Sequence, residues 1–91
     1  MSNQAVEKKK IHILNDTIYR NFVVLFNDDV NSFDHVEICL MKICLKTKEE
    51  SKKIAMEAHN NGKAFCYKGS LEECGTVAEK MGEAGLTVEL Q

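Results

Sequence analysis

A two-layer α/β sandwich is the fold this sequence predicts, in the order β-α-α-β-α-β, with a three-stranded antiparallel sheet covered on one face by three helices. Three observations predict it. Short runs rich in β-branched and aromatic residues, "NFVVLF" and "KAFCYK", are separated by segments whose apolar residues recur every three or four positions. Two of those segments open on a capping box, Thr47 with Glu50 and Ser70 with Glu73. The last run, "LTVEL", alternates apolar and polar side chains, as a strand does with one face on a core and one in water.

Each element has its own justification. Residues 1–17 carry a lysine triplet and little periodicity and read as a mobile N-terminal extension, leaving 18–91 as the core domain. "NFVVLF" stops at Asn27, Asp28 and Asp29, whose side chains favour turns. Asn31 or Ser32 then caps a first helix, on which Phe33, Val36, Leu40, Ile43 and Cys44 form one apolar stripe. The second helix presents Ser51, Ile54, Ala55 and Ala58, small enough for a neighbouring helix to approach closely. "HNNG" closes it, Gly62 being suited to the left-handed cap conformation. The third helix carries Cys74, Val77, Ala78 and Met81 on one side and ends at Gly82 or Gly85.

Composition narrows the function. A chain of 91 residues has room for one domain with a modest core. Its net charge of -2 gives nucleic acid no general electrostatic pull. Lys42, Lys46, Lys48, Lys52 and Lys53 cluster, but Glu49 and Glu50 sit among them, the pattern of a solvated helical face. The longest strongly apolar run, "FVVLF", is too short to span a bilayer, and "MSNQAVEKKK" has no signal-peptide core. The expected compartment is the cytoplasm. There, Cys39, Cys44, Cys66 and Cys74, with no C-x-x-C pair among them, behave as small buried hydrophobes.

The polar groups at the strand end deserve a chemical reading. Asn27 and Asp28 leave the first strand, and His59 lies in the last turn of the second helix. A hairpin of the first two helices would bring the three together. An amide oxygen, a carboxylate and a neutral imidazole all accept hydrogen bonds, which suits a compact cation with several N–H donors, such as a peptide α-ammonium group. Phe33, Val36, Ala55 and Ala58 from the facing stripes would line an apolar hollow beside them. The same residues also admit a plainer reading: Asn-Asp-Asp as turn and cap, and His59 as a partner of the helix dipole. Spacing alone leaves both open.

"NDDVNSFDHV", followed by "AHNNGKA", resembles the ClpS family of adaptors for the ATP-dependent Clp protease. The matching positions are Asn27, Asp28 and Asp29, then His59, Gly62, Lys63 and Ala64. The resemblance implies a non-catalytic, cofactor-free adaptor that captures N-degrons, substrates with a bulky hydrophobic first residue, and hands them to a hexameric AAA+ unfoldase of ClpA or ClpC type. It implies that Asn27 and His59 hold the α-amino group directly and that Asp28 holds it partly through water. Asp29, Phe33, Val36, Ala55 and Ala58 would form the pocket, with Leu86 completing its wall. The N-terminal extension would engage the unfoldase. Asn31, Ser32 and Phe33 stand where the family often has Thr-Pro-Met, and Ala55 and Ala58 where many members have methionine and valine. The preference among Leu, Phe, Tyr and Trp therefore stays open.

Three other readings compete. His35 and Cys39 share a helix face at the spacing zinc sites use, with Cys44 further on, but no second ligand pair has recognisable spacing. Asp28, Asp29 and His59 suggest acid–base chemistry, but no nucleophile elbow or phosphate-cradling loop accompanies them. The sandwich also resembles the C-terminal domain of the ribosomal stalk protein, a non-catalytic interaction domain, which would leave Asn27, Asp28 and His59 without a task.

Overall fold

The structure, a computed structural model, describes residues 21–91. The extension expected at 1–17, and the start of order near Ile18, lie outside them. The elements are β1 (Asn21–Phe26), α1 (Phe33–Lys42), α2 (Lys48–Asn61), β2 (Lys63–Gly69), α3 (Leu71–Glu83) and β3 (Val88–Leu90). This is the predicted order. β1 is central, with β2 and β3 antiparallel on either side.

Local chemistry sets the helix ends. Ser32 is the cap of α1, its hydroxyl accepting from the His35 N–H at 3.1 Å. Both capping boxes form, Thr47 with Glu50 and Ser70 with Glu73. Gly62 takes φ 89° and donates its N–H to the Ala58 carbonyl, a left-handed stop that turns the chain directly into β2. At the other glycine stop the choice falls on Gly85, φ 88°, rather than Gly82. Gly85 N–H bonds to the Gly82 carbonyl and Leu86 N–H to the Met81 carbonyl, the paired bonds of a Schellman motif.

One face of the sheet carries the core. Val23 and Leu25 of β1 and Ala64 and Cys66 of β2 meet Leu40 and Cys44, Ala55 and Ala58, and Cys74 and Met81 from the helical layer. The four cysteines are buried and unpaired, as the patterns require. Burial pushes the thiols of Cys39 and Cys74 up, which keeps them protonated and inert. On the opposite face Phe65 and Glu89 are exposed, as an outward face should be, whereas Val24 between them is buried. Among the described residues no helix is long and apolar enough to cross a membrane.

Candidate functional site

The end of β1 and the end of α2 are joined by backbone. Phe26 pairs with Lys63 in the sheet, and Asn27 N–H donates to the Gly62 carbonyl at 2.9 Å. Because Gly62 caps α2, this bond fixes Asn27 close to the last helical turn, which carries His59. The hairpin of α1 and α2 closes the third side. A hollow of about 240 Å³ opens there, lined by Leu25, Phe26, Asn27, Asp28, Asp29, Asn31, Phe33, Val36, Ala55, Ala58 and His59. Buried Leu25, Ala55 and Ala58 supply apolar floor and wall, and exposed Asn27, Asp29 and His59 supply the rim.

The charge at the rim is fixed. Asp28 Oδ1 accepts from the N–H groups of Val30 (2.9 Å) and Asn31 (2.8 Å), and its Oδ2 accepts from Asn31 Nδ2 (2.9 Å). The Asn31 N–H, ahead of the other donors, holds the Asp28 carboxyl below the usual carboxylate range. A carboxylate has about four acceptor positions, so three donors leave room for one more. The turn reading and the site reading of Asp28 are thus compatible. His59 is braced by an edge-on contact with Phe33, ring centroids 5.2 Å apart and planes at 69°.

Of the residues expected at this site, Asn27, Asp28, Asp29, Phe33, Val36, Ala55, Ala58 and His59 all line one hollow. Leu86 does not. It occupies the position after the Schellman glycine, where an apolar side chain folds back on the helix it has just left, and it is buried in the main core. A residue expected only as a possible cap, Asn31, lines the hollow instead. Its Nδ2 donates to both Asp28 Oδ2 and the Gly85 carbonyl (2.9 Å each), tying the rim to the α3–β3 corner. The bond to Asp28, three positions away, is a local turn contact that spacing could have suggested; the bond to Gly85, 54 positions away, is not.

The His35–Cys39 pair behind the zinc alternative is engaged in hydrogen bonds. His35 Nε2 lies 2.8 Å from the Ala84 carbonyl, so it acts as a donor there, and Cys39 Sγ is 3.6 Å from the same nitrogen. That nitrogen, carrying the proton, is not available to a metal, while Nδ1 keeps its lone pair. Among the described residues no group of three or more His, Cys, Asp or Glu side chains is placed to hold a metal ion.

An acceptor-rimmed apolar cup on a small α/β sandwich defines a binding module rather than a catalyst. The family model of the ATP-dependent Clp protease adaptor protein ClpS matches residues 10–89. ClpS adaptors of Thermosynechococcus vestitus and Prochlorococcus marinus are similar to the chain. The first is 36% identical over 72 residues, covering 77% of each protein. The second is 30% identical over 91 residues, covering 99% of this chain and 87% of the relative. The chain belongs to the ClpS family of Clp protease adaptors, which are not enzymes. The fold is also that of Agrobacterium tumefaciens ClpS2, solved bound to L-phenylalaninamide, at a TM-score of 0.67 and 21% identity, over 78% of this chain and 93% of that one.

Proposed function

We propose that this adaptor binds the free α-amino group and bulky hydrophobic first residue of N-degron proteins and delivers them to the N-domain of a hexameric ClpA- or ClpC-type unfoldase in the cytoplasm. The observation that carries the reading is the cup itself: acceptors and anions on the rim, apolar side chains below, in one hollow of side-chain size. The ligand of the Agrobacterium structure is an aromatic amino acid amide with a free amine, the chemistry the cup would take.

In this mechanism the α-ammonium group donates to the Asn27 amide oxygen and to neutral His59. The third interaction is with Asp28, whose charge persists because its neighbours' N–H groups stabilise the anion. Asp29 adds negative charge at the mouth. The first side chain drops between Phe33 and Val36 on one wall and Ala55 and Ala58 on the other. Residues 1–17 would engage the unfoldase.

The energetics suit an adaptor that must release its cargo. Burying a Leu- or Phe-sized side chain is worth about 1.5–3 kcal/mol. Each hydrogen bond to the charged amine adds roughly 1.5–3 kcal/mol, toward the lower figure here because Asn27 and His59 are exposed. After the entropy of immobilising a peptide, micromolar binding near about -8 kcal/mol is expected.

Fluorescence anisotropy with peptides differing only in their first residue, each free and N-acetylated, tests the proposal. Free peptides beginning with Leu, Phe, Tyr or Trp should bind, and acetylation should weaken them at least about tenfold, one lost charged hydrogen bond. Equal binding of acetylated peptides, or no dependence on the first residue, would overturn it. The stalk-like alternative predicts no capture of any of them.

A further inference from the structure

We infer that Phe33 makes this cup select planar aromatic first residues over branched aliphatic ones, an inference that rests on the function proposed above. Phe33 is the first residue of α1, it lines the hollow, and 43% of it remains exposed. A large apolar side chain left that open at the mouth of an apolar hollow has a surface still to be covered. Its ring meets His59 edge-on, centroids 5.2 Å apart, so an aromatic surface already borders the mouth beside the amine-binding rim.

The opposite wall supports the same preference. Ala55 and Ala58 stand three positions apart on one face of α2 and are 4% and 3% exposed. Two methyl groups make a low, smooth wall, against which a flat ring keeps contact over its whole face. A branched aliphatic side chain touches such a wall through its methyl ends only. An incoming ring would thus lie between a flat wall and an aromatic edge or face. It would also form a cluster with Phe33 and His59 in the offset geometry that aromatic rings favour.

Aromatic pairs contribute about 0.5–1.5 kcal/mol beyond the area they bury, so the ring should be favoured by roughly two- to twelvefold. The experiment compares two peptides, identical except for Phe or Leu at the first position, on the parent, Phe33→Leu and Phe33→Tyr. The parent should bind the Phe peptide about two- to twelvefold more tightly. Phe33→Leu should bring the two to near parity, mainly by weakening the Phe peptide, and Phe33→Tyr should keep the preference. Equal or tighter binding of the Leu peptide by the parent would overturn the inference while leaving the proposed function standing. A Phe preference that survives in Phe33→Leu would overturn it too. Binding of neither peptide by the parent would overturn the functional reading and this inference together.

Discussion

Replacing Asp28 by asparagine changes charge and hydrogen-bond polarity at nearly constant shape, so its consequences follow directly from the geometry. Both backbone donors, Val30 and Asn31, use Oδ1, and an asparagine oxygen can still accept from them. The other position becomes an NH₂ group facing Asn31 Nδ2, donor against donor. Either that bond is lost, or the Asn31 amide inverts and abandons the Gly85 carbonyl. One bond disappears in each case, and two others change from charged to neutral acceptors. Bonds to charged groups are worth about 1.5–3 kcal/mol and neutral ones about 0.5–1.5. Discounted for solvent screening at an open rim, the net loss is about 1 kcal/mol. That corresponds to a fall of about 4–8 °C in Tm for a domain of this size. Peptide binding loses the attraction of one screened charge, about 1 kcal/mol or roughly fivefold in Kd. Thermal circular dichroism and an anisotropy titration with a Phe-initiated peptide read the two effects separately. A lower Tm with unchanged Kd would reduce Asp28 to a turn residue; unchanged values of both would refute the hydrogen-bond reasoning as well.

The same residue gives the acid limb a sign. Because the folded pKa of Asp28 is lowered, the stability it contributes is fully present above about pH 4 and is lost as pH falls through the folded value. As pH falls below about 4 the parent should therefore lose Tm more steeply than Asp28→Asn, measured by thermal melts at each pH. Ser51 is fully buried on α2 and its hydroxyl has no partner among the described residues. Ser51→Ala removes that unmet bond and improves helix propensity, so chemical denaturation should show about 1 kcal/mol of added stability. A loss of similar size would mean the hydroxyl is bonded after all. Gly62 has nothing within 4 Å of where a Cβ would sit, so Gly62→Ala isolates the cost of φ 89°. Denaturation should show a loss of about 1–2 kcal/mol, and no change would mean the cap relaxes freely.

Local signals carried most of the fold. Each capping box placed a helix start, because the bond that makes the signal is also the bond that starts the helix. Gly62 and the Asn-Asp-Asp turn bounded the site for the same reason. The cup was legible because its two halves come from amphipathic stripes meeting in a hairpin. What escaped depends on contacts distant in sequence. Asn31 sits at the rim through its local bonds to Asp28, but its tie to the α3–β3 corner exists only because Gly85 arrives beside it. Leu86 faces the core because the choice of Gly85 over Gly82 as the stop decides which way the next side chain turns. The edge-on meeting of Phe33 and His59 likewise joins two helices, and neither stripe alone reveals it.

The most direct measurement is an NMR titration of isotope-labelled protein with L-phenylalaninamide, using its N-acetyl form as control. Saturable shifts should concentrate at the Asn27 side-chain amide, the His59 imidazole and the methyls of Val36, Ala55 and Ala58, with the acetylated compound leaving them in place. Shifts centred instead on the hollow beside Phe65 and Gln91, or equal responses to both compounds, would contradict the assignment of the amine site.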